Sequence, residues 1–173
     1  VIFTFHFGLL QAQENAEKTL ADQRFQQALK VFSANFDSTE IYLQQAVSLY
    51  QKADDWEGVV KCYAGLASLS GYQGKYVQRD SLTKLNFELA QSKVDPTDEA
   101  YAAAMNNYAF SLKGKGDYDG AIHYFQKALA NNLKLGNKLY IATNYSNLGV
   151  ILRGKGDYDE ALEHFKEAYR YYV

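Results

Sequence analysis

Apolar residues recur at three- and four-residue spacing along most of the chain, and this spacing predicts amphipathic α-helices. The clearest example is a pair of stripes near the end of the sequence. The first consists of Ala142, Tyr145, Leu148, Gly149 and Leu152, and the second of Ala161, Leu162, Phe165, Ala168, Tyr169 and Tyr172. Gly154 and Gly156 separate the stripes, and glycine readily adopts the left-handed conformation that ends a helix. The pattern predicts a helical hairpin.

Polar residues at the expected helix starts support this interpretation. Asn137 precedes the first stripe, and Asp157 precedes the second. Glu160 follows Asp157 by three residues, which predicts a capping box at the start of the second helix. Farther back, Asp95 stands before Pro96. Proline is favoured at the first position of a helix, so Asp95 is the predicted N-cap of an earlier helix.

The hairpin is one copy of a repeat. The six residues Gly114–Asp119 recur letter for letter as Gly154–Asp159, forty residues later (154 − 114 = 40). The match continues into the helix that follows each copy, where Ala121, Phe125 and Ala128 reappear as Ala161, Phe165 and Ala168. Self-similarity at a period of this size predicts stacked repeats, in which each unit buries its apolar face against its neighbours.

Two weaker copies precede these. In the nearer one, a first helix opened by Asp54-Asp55-Trp56 carries Tyr63, Leu66 and Ala67. The second helix carries Ser81, Leu82, Leu85 and Leu89. In the farther one, the first helix falls within 14–32, and the second carries Thr39, Leu43, Ala46 and Val47. When the four copies are aligned, equivalent positions form columns. One column contains mostly small residues, Thr39, Ser81, Ala121 and Ala161. Another, one helical turn later, contains large apolar residues, Leu43, Leu85, Phe125 and Phe165. Glu88 then occupies a position where the repeat expects alanine. The predicted units are 14–53, 54–94, 95–135 and 136–173.

The repeat resembles a known family. Leu148-Gly149, Gly156-Asp157-Tyr158, Ala161, Phe165 and Ala168 stand at the signature spacing of the tetratricopeptide repeat. The resemblance covers about residues 35–173 and is strongest in the last two copies. It implies an all-α fold, a right-handed superhelix (solenoid) of about four helix-turn-helix units. The forty-residue period exceeds the family's usual thirty-four and is similar to the longer-helix variant of kinesin light chains and bacterial signalling proteins.

Composition and charge narrow the classes of function. The formal net charge is −2, so no basic surface for nucleic acid or anionic membrane is expected. Cys62 is the sole cysteine, which excludes a disulfide within the chain and favours a buried structural thiol. His123 and His164 have no partner at metal-ligand spacing. We therefore expect no catalytic constellation, no metal and no cofactor.

The first residues differ from the rest. Residues 1–10 are mostly apolar, too short to span a bilayer, and followed by Gln11, Ala12 and Gln13. This pattern predicts the end of a secretory signal peptide over 1–13, and the alternative is a buried first helix of the array. The array itself is not expected to enter a membrane. An exported protein, periplasmic or otherwise extracytoplasmic, follows from the first interpretation, and a cytoplasmic one from the second.

The resemblance also implies where a ligand would bind. In tetratricopeptide proteins the first helix of each hairpin lines the concave side. Carried over by matching columns, the implied contacts are Asn106, Asn107, Phe110, Lys113, Ser146, Asn147, Val150 and Arg153. Lys113 and Arg153 share one column, so stacking is expected to set two positive charges in a row and to favour an acidic ligand. Asn107 and Asn147 share another column and offer amides to an extended peptide backbone.

We expect a non-enzymatic scaffold that binds a protein or peptide in the groove of the array. The alternative is an extracytoplasmic regulatory segment of a larger bacterial signalling protein, either a sensor histidine kinase or an effector with a protease-like domain. In the last predicted helix, the apolar residues Leu162, Tyr169 and Tyr172 have no following helix in this sequence to cover them. We expect a chain truncated at both ends, with these residues covered by a further helix or, alternatively, by a second copy in a homodimer.

Overall fold

The computed structural model describes the backbone of residues 2–173 and the side chains of residues 11–173. All regular structure in these residues is α-helical, which confirms the predicted all-α fold. The helices are α1 (Ile2–Val31), α2 (Phe36–Lys52), α3 (Trp56–Tyr72), α4 (Tyr76–Lys93), α5 (Glu99–Gly114), α6 (Tyr118–Leu135), α7 (Lys138–Lys155) and α8 (Tyr158–Tyr172). The side chains of residues 1–10 lie outside the described part, and the signal-peptide interpretation stays a prediction.

Consecutive helices pack in pairs as hairpins. The pairs are α1 with α2, α3 with α4, α5 with α6, and α7 with α8. The chain divides into two compact units, Val1–Lys93 and Val94–Val173. In the first unit α2 also packs on α3, and in the second α6 packs on α7, so each unit is a pair of stacked hairpins.

Small residues allow the helices of the second unit to approach closely. Ala121 and Ala161 are 0% and 2% exposed, which confirms the predicted small column in these two hairpins. Phe125, one helical turn after Ala121, is completely buried. Gly149 lies under the Phe165 ring, and a Cβ built there would come within 2.8 Å of a ring carbon. The α7–α8 hairpin is therefore packed around a small residue opposed to a large one.

Polar side chains cap five of the described helices, α2, α3, α5, α6 and α7, and Asn137 at α7 is a predicted cap. Asp117 Oδ1 accepts a hydrogen bond from the Gly120 N–H at 3.0 Å, and Asn137 Oδ1 accepts one from the Tyr140 N–H at 3.3 Å. At the other end of α7, Gly156 has φ 93°, the left-handed conformation that glycine tolerates best. The two N-caps satisfy N–H groups that an isolated helix would leave without partners.

The predicted capping box at α8 is wrong. Asp157 is the N-cap, but its side chain accepts no cap hydrogen bond. Its backbone N–H already donates to the Leu152 carbonyl at 3.0 Å, so Glu160 cannot take that donor. A Cβ on Gly120 would lie 2.5 Å from Asp117 Oδ2. Glu160 at the corresponding position of α8 would crowd this Asp117 rotamer, although Asn137 caps α7 beside the side chain of Tyr140.

The predicted start of α5 is three residues too early. Asp98 is the N-cap, with Oδ1 accepting the Ala100 N–H at 2.7 Å. Asp95 and Pro96 belong to a turn before the helix, in which Asp95 Oδ1 accepts hydrogen bonds from the Thr97 N–H and hydroxyl. The helix therefore begins after Asp98, and the Asp95-Pro96 pair does not mark its start.

The predicted columns of α4 are also wrong. Ser81 and Leu85 are exposed, whereas the buried side chains are Thr83, Asn86, Phe87 and Ala90. Thr83, Phe87 and Ala90 reproduce the spacing of Thr39, Leu43 and Ala46 in α2. Glu88 is exposed and lies 3.7 Å from the Lys84 ammonium, so it does not replace the alanine of the repeat. The alignment of α4 to the later copies by a shift of about forty residues selected Ser81, which lies two residues before the buried Thr83.

The remaining structural predictions concern single groups. Cys62 is completely buried in the core of the first unit, and burial raises the pKa of its thiol to about 12. Among the described residues, no group of three or more histidine, cysteine or acidic side chains is arranged to hold a metal ion. None of the described helices combines the length and apolar character that crossing a membrane requires.

Candidate binding site

The ends of α5 and α7 bring several of the predicted contact residues together. Lys113, in the last turn of α5, donates a hydrogen bond from Nζ to Asn147 Oδ1 on α7 at 2.8 Å. The same ammonium lies 4.4 Å from the centroid of the Phe110 ring. An ammonium over an aromatic face is attracted to the negative face of the ring. Lys113 is thus held in place by one neighbour on each helix.

A pocket of about 360 Å³ opens beside this lysine. Its lining consists of Lys113, Tyr118, Val150, Ile151, Arg153 and Gly154. Val150 and Arg153 lie three residues apart on α7 and therefore share a face of that helix. Both are exposed. We name the pocket lining, together with Phe110 and Asn147, the α5–α7 site.

Two positive charges of different character line the pocket. Burial lowers the pKa of the Lys113 ammonium below its ordinary value. Arg153 is exposed and has no hydrogen-bond or ion-pair partner among the described residues. A guanidinium without a partner can form two parallel hydrogen bonds with a carboxylate or phosphate group. The pocket therefore offers an anion the unpaired Arg153 guanidinium and the partly buried Lys113 ammonium, beside the apolar Val150.

The other predicted contact residues lie in different surroundings. Asn107 is exposed on α5 and Ser146 is half-buried on α7. Asn106 is only 7% exposed, and its Oδ1 has no hydrogen-bond partner among the described residues. A side chain buried to that extent presents little surface to a ligand. Of the eight predicted residues, five meet in the α5–α7 site: Phe110, Lys113, Asn147, Val150 and Arg153.

Tyr118 is a pocket residue that the sequence analysis missed. It is the first residue of α6 and half of its surface is exposed. The carry-over from family columns considered only the first helix of each hairpin, whereas Tyr118 belongs to the second. The signal was present in the repeated Gly-Asp-Tyr-Asp sequence, which places an aromatic ring directly after each of the last two hairpin turns.

Comparison with known families identifies the repeat. The sequence profile described as tetratricopeptide repeat matches residues 100–172, which contain nearly all of α5–α8. Residues 100–172 are similar to this family in sequence. The predicted resemblance is thereby confirmed for the segment that carries the α5–α7 site. A search of curated proteins found no match to this chain.

Solved structures share the fold of the chain beyond the tetratricopeptide segment. BtubC (BKLC) from P. vanneervenii is 19% identical with a TM-score of 0.62, and the match covers 92% of this chain and 72% of that one. Aspartyl phosphate phosphatase F from Bacillus subtilis is 18% identical with a TM-score of 0.73, covering 87% of this chain but 39% of the phosphatase. MamA is 17% identical with a TM-score of 0.52, covering 85% and 84%. At these identities the likeness shows the shared helical-repeat fold alone.

Proposed function

We propose that the chain is a non-enzymatic interaction module that binds an acidic peptide segment of a partner protein at the α5–α7 site. Tetratricopeptide-like folds generally mediate protein–protein interaction, and the comparisons support that coarser statement for this chain. Stacked helical repeats present extended surfaces, and these suit a peptide better than a small molecule.

The observation that carries the proposal is Arg153, whose guanidinium lacks a partner among the described residues while it lines a pocket with Lys113. Neither cation is neutralised there by a carboxylate. A ligand carboxylate would supply the missing charge, and an adjacent apolar side chain of the peptide would pack on Val150 and the Tyr118 ring. Asn147 already accepts from Lys113, so its amide N–H groups remain available to a peptide carbonyl.

The affinity should depend on pH through Lys113. An anion binds the charged ammonium more strongly than the neutral amine, so binding raises the lysine pKa towards or above its ordinary value. The affinity is therefore highest below the pKa of free-state Lys113 and falls as the pH rises through it. Because burial lowers that pKa, the loss begins below pH 10.5, the ordinary lysine value.

Selection from a random peptide library displayed on phage tests the proposal. The wild-type chain should enrich peptides containing aspartate or glutamate next to an apolar residue. The Lys113→Gln/Arg153→Gln variant should lose this enrichment while keeping the helical circular dichroism spectrum of the wild type.

The matched control is Lys134→Gln/Lys138→Gln, which removes the same charge from exposed lysines at the α6–α7 turn. If the control loses acidic peptides as completely as the test variant, the effect is one of net charge and the proposed site is wrong. If the wild type enriches peptides without acidic residues, the ligand class is wrong.

A further inference from the structure

One face of α5 runs from the α5–α7 site to an acidic residue at the opposite end of the helix. Glu99, Ala103, Asn106, Phe110 and Lys113 follow one another at spacings of four, three, four and three residues, which sets them on one side of α5. Glu99 lies in the first turn of the helix and Lys113 in the last. We name these five residues the α5 stripe.

Both ends of the α5 stripe contact α7. Lys113 donates to Asn147, and at the other end Glu99 Oε1 accepts a hydrogen bond from Asn137 Nδ2 at 2.7 Å. Asn137 is itself held in place, because its Oδ1 caps α7. Glu99 is exposed and forms no ion pair with any described residue. The stripe therefore has an unneutralised carboxylate at one end and the two cations of the α5–α7 site at the other.

The stripe stays open to solvent although a further hairpin follows it in the same unit. The α7–α8 hairpin packs beside α5 and α6, yet Phe110 is still 52% exposed. Ala103 is half-buried, and so is Thr143, its counterpart forty residues later on α7. Because these two side chains are small, an extended peptide backbone can lie close to both helices between the charged ends.

We propose that the partner segment is dipolar, with its acidic residue at the α5–α7 site and a lysine or arginine at Glu99. This inference rests on the proposed function and adds the chemistry of the segment's other end. The Glu99 carboxylate attracts a cation, and its second oxygen has no hydrogen-bond partner among the described residues. Leu139 occupies the same column on α7, two residues after Asn137, and is 63% exposed. It offers apolar surface to the aliphatic stem of the ligand's lysine or arginine.

The length of the stripe sets the spacing of the two charges in the ligand. Glu99 and Lys113 are fourteen residues apart (113 − 99 = 14), which corresponds to about 21 Å along an α-helix. An extended chain advances about 3.3 Å per residue, so the acidic and basic residues should stand about six residues apart. The extended form is expected because its backbone carbonyls are free to accept from the Asn147 amide, whereas those inside a helix are already bonded.

Synthetic peptides test the proposal by fluorescence anisotropy. Each has a glutamate beside a valine in a chain of glycine and serine, and either lysine or glutamine stands about six residues away. The wild type should bind the lysine peptide about threefold more tightly than the glutamine peptide, the effect of one exposed ion pair. Moving the lysine next to the glutamate should abolish this gain, because the lysine then meets Lys113 and Arg153. Each peptide is made in both chain directions, since the stripe fixes the spacing and not the direction.

Protein variants assign the effect to Glu99. Glu99→Gln should bind the lysine and glutamine peptides equally, and the two substitutions together form a cycle that isolates the ion pair. Glu163→Gln is the matched control, since it removes the same charge from an exposed glutamate of α8 and should keep the threefold gain. A gain from lysine that persists in Glu99→Gln overturns the inference.

The proposed function and this inference can fail separately. The informative reference is a third peptide, in which glutamine replaces the glutamate. If the wild type binds the lysine and glutamine peptides equally, but binds both more tightly than this reference, the inference is wrong and the acidic-peptide site stands. If replacing the glutamate has no effect on binding, the proposed function is wrong as well.

Discussion

At the residue scale, two glycines of α7 show how the same residue serves different purposes. Gly149 lies under the Phe165 ring, whereas a Cβ on Gly154 would meet nothing within 4 Å. Gly154→Ala should therefore stabilise the chain by about 0.5–1 kcal/mol through helix propensity. Gly149→Ala should destabilise it by about 1–3 kcal/mol, because the ring must move. Urea unfolding followed by circular dichroism measures both changes, and a gain in stability for Gly149→Ala would contradict the packing.

Cys62 gives a second prediction at this scale. Burial, together with the charge of Asp55, raises the pKa of its thiol to about 12 from the ordinary value of 9.0. The thiolate is the reactive form, so iodoacetamide should label Cys62 only when the chain unfolds. The shift stabilises the fold fully below pH 9.0, and the contribution is lost as the pH rises towards 12, since the unfolded chain ionises first. Labelling at pH 8 in increasing urea checks this, and fast labelling without urea would disprove the burial.

At the scale of elements, the helix caps can be compared directly. Asp117 caps α6 through the Gly120 N–H, whereas Asp157 occupies the same position at α8 without a side-chain hydrogen bond. Asp117→Ala should cost about 1 kcal/mol of unfolding free energy. Asp157→Ala should cost only a few tenths of a kcal/mol, about the value of a charge near an exposed helix terminus. Thermal unfolding of the two variants decides, and equal losses would mean that Asp157 also caps its helix.

The sequence predicts the last two hairpins best, because their stripes and their turns at Gly116 and Gly156 repeat in register. It fails in α4 for an identifiable reason. Leucine-based periodicity selects Leu85, but the structure leaves Leu85 40% exposed and buries Thr83 and Asn86 instead. The Thr83 hydroxyl donates a hydrogen bond to the Arg79 carbonyl at 2.8 Å. Because this bond replaces one to water, a polar residue can occupy a core position. Hydrophobicity alone does not reveal such a residue.

At the scale of the whole molecule, the candidate site could be predicted in part. Matching family columns predicts Lys113 and Arg153 in one row, and both side chains line the same pocket. The columns could not show that Asn106 is buried, since its exposure depends on packing between helices. They also omitted Tyr118, which enters the pocket from a second helix. The sequence predicts both cations and an acidic ligand, whereas only the structure shows that no described carboxylate pairs with Lys113 or Arg153.

The central claim is that an acidic peptide binds at Lys113 and Arg153. Fluorescence anisotropy with one labelled acidic peptide from the library selection measures it most directly, at several salt concentrations. We predict that Lys113→Gln/Arg153→Gln weakens binding about tenfold, near 1.4 kcal/mol, and that salt weakens wild-type binding more than that of the variant. The control Lys134→Gln/Lys138→Gln should bind like the wild type. An affinity and a salt dependence that are unchanged in Lys113→Gln/Arg153→Gln would contradict the account.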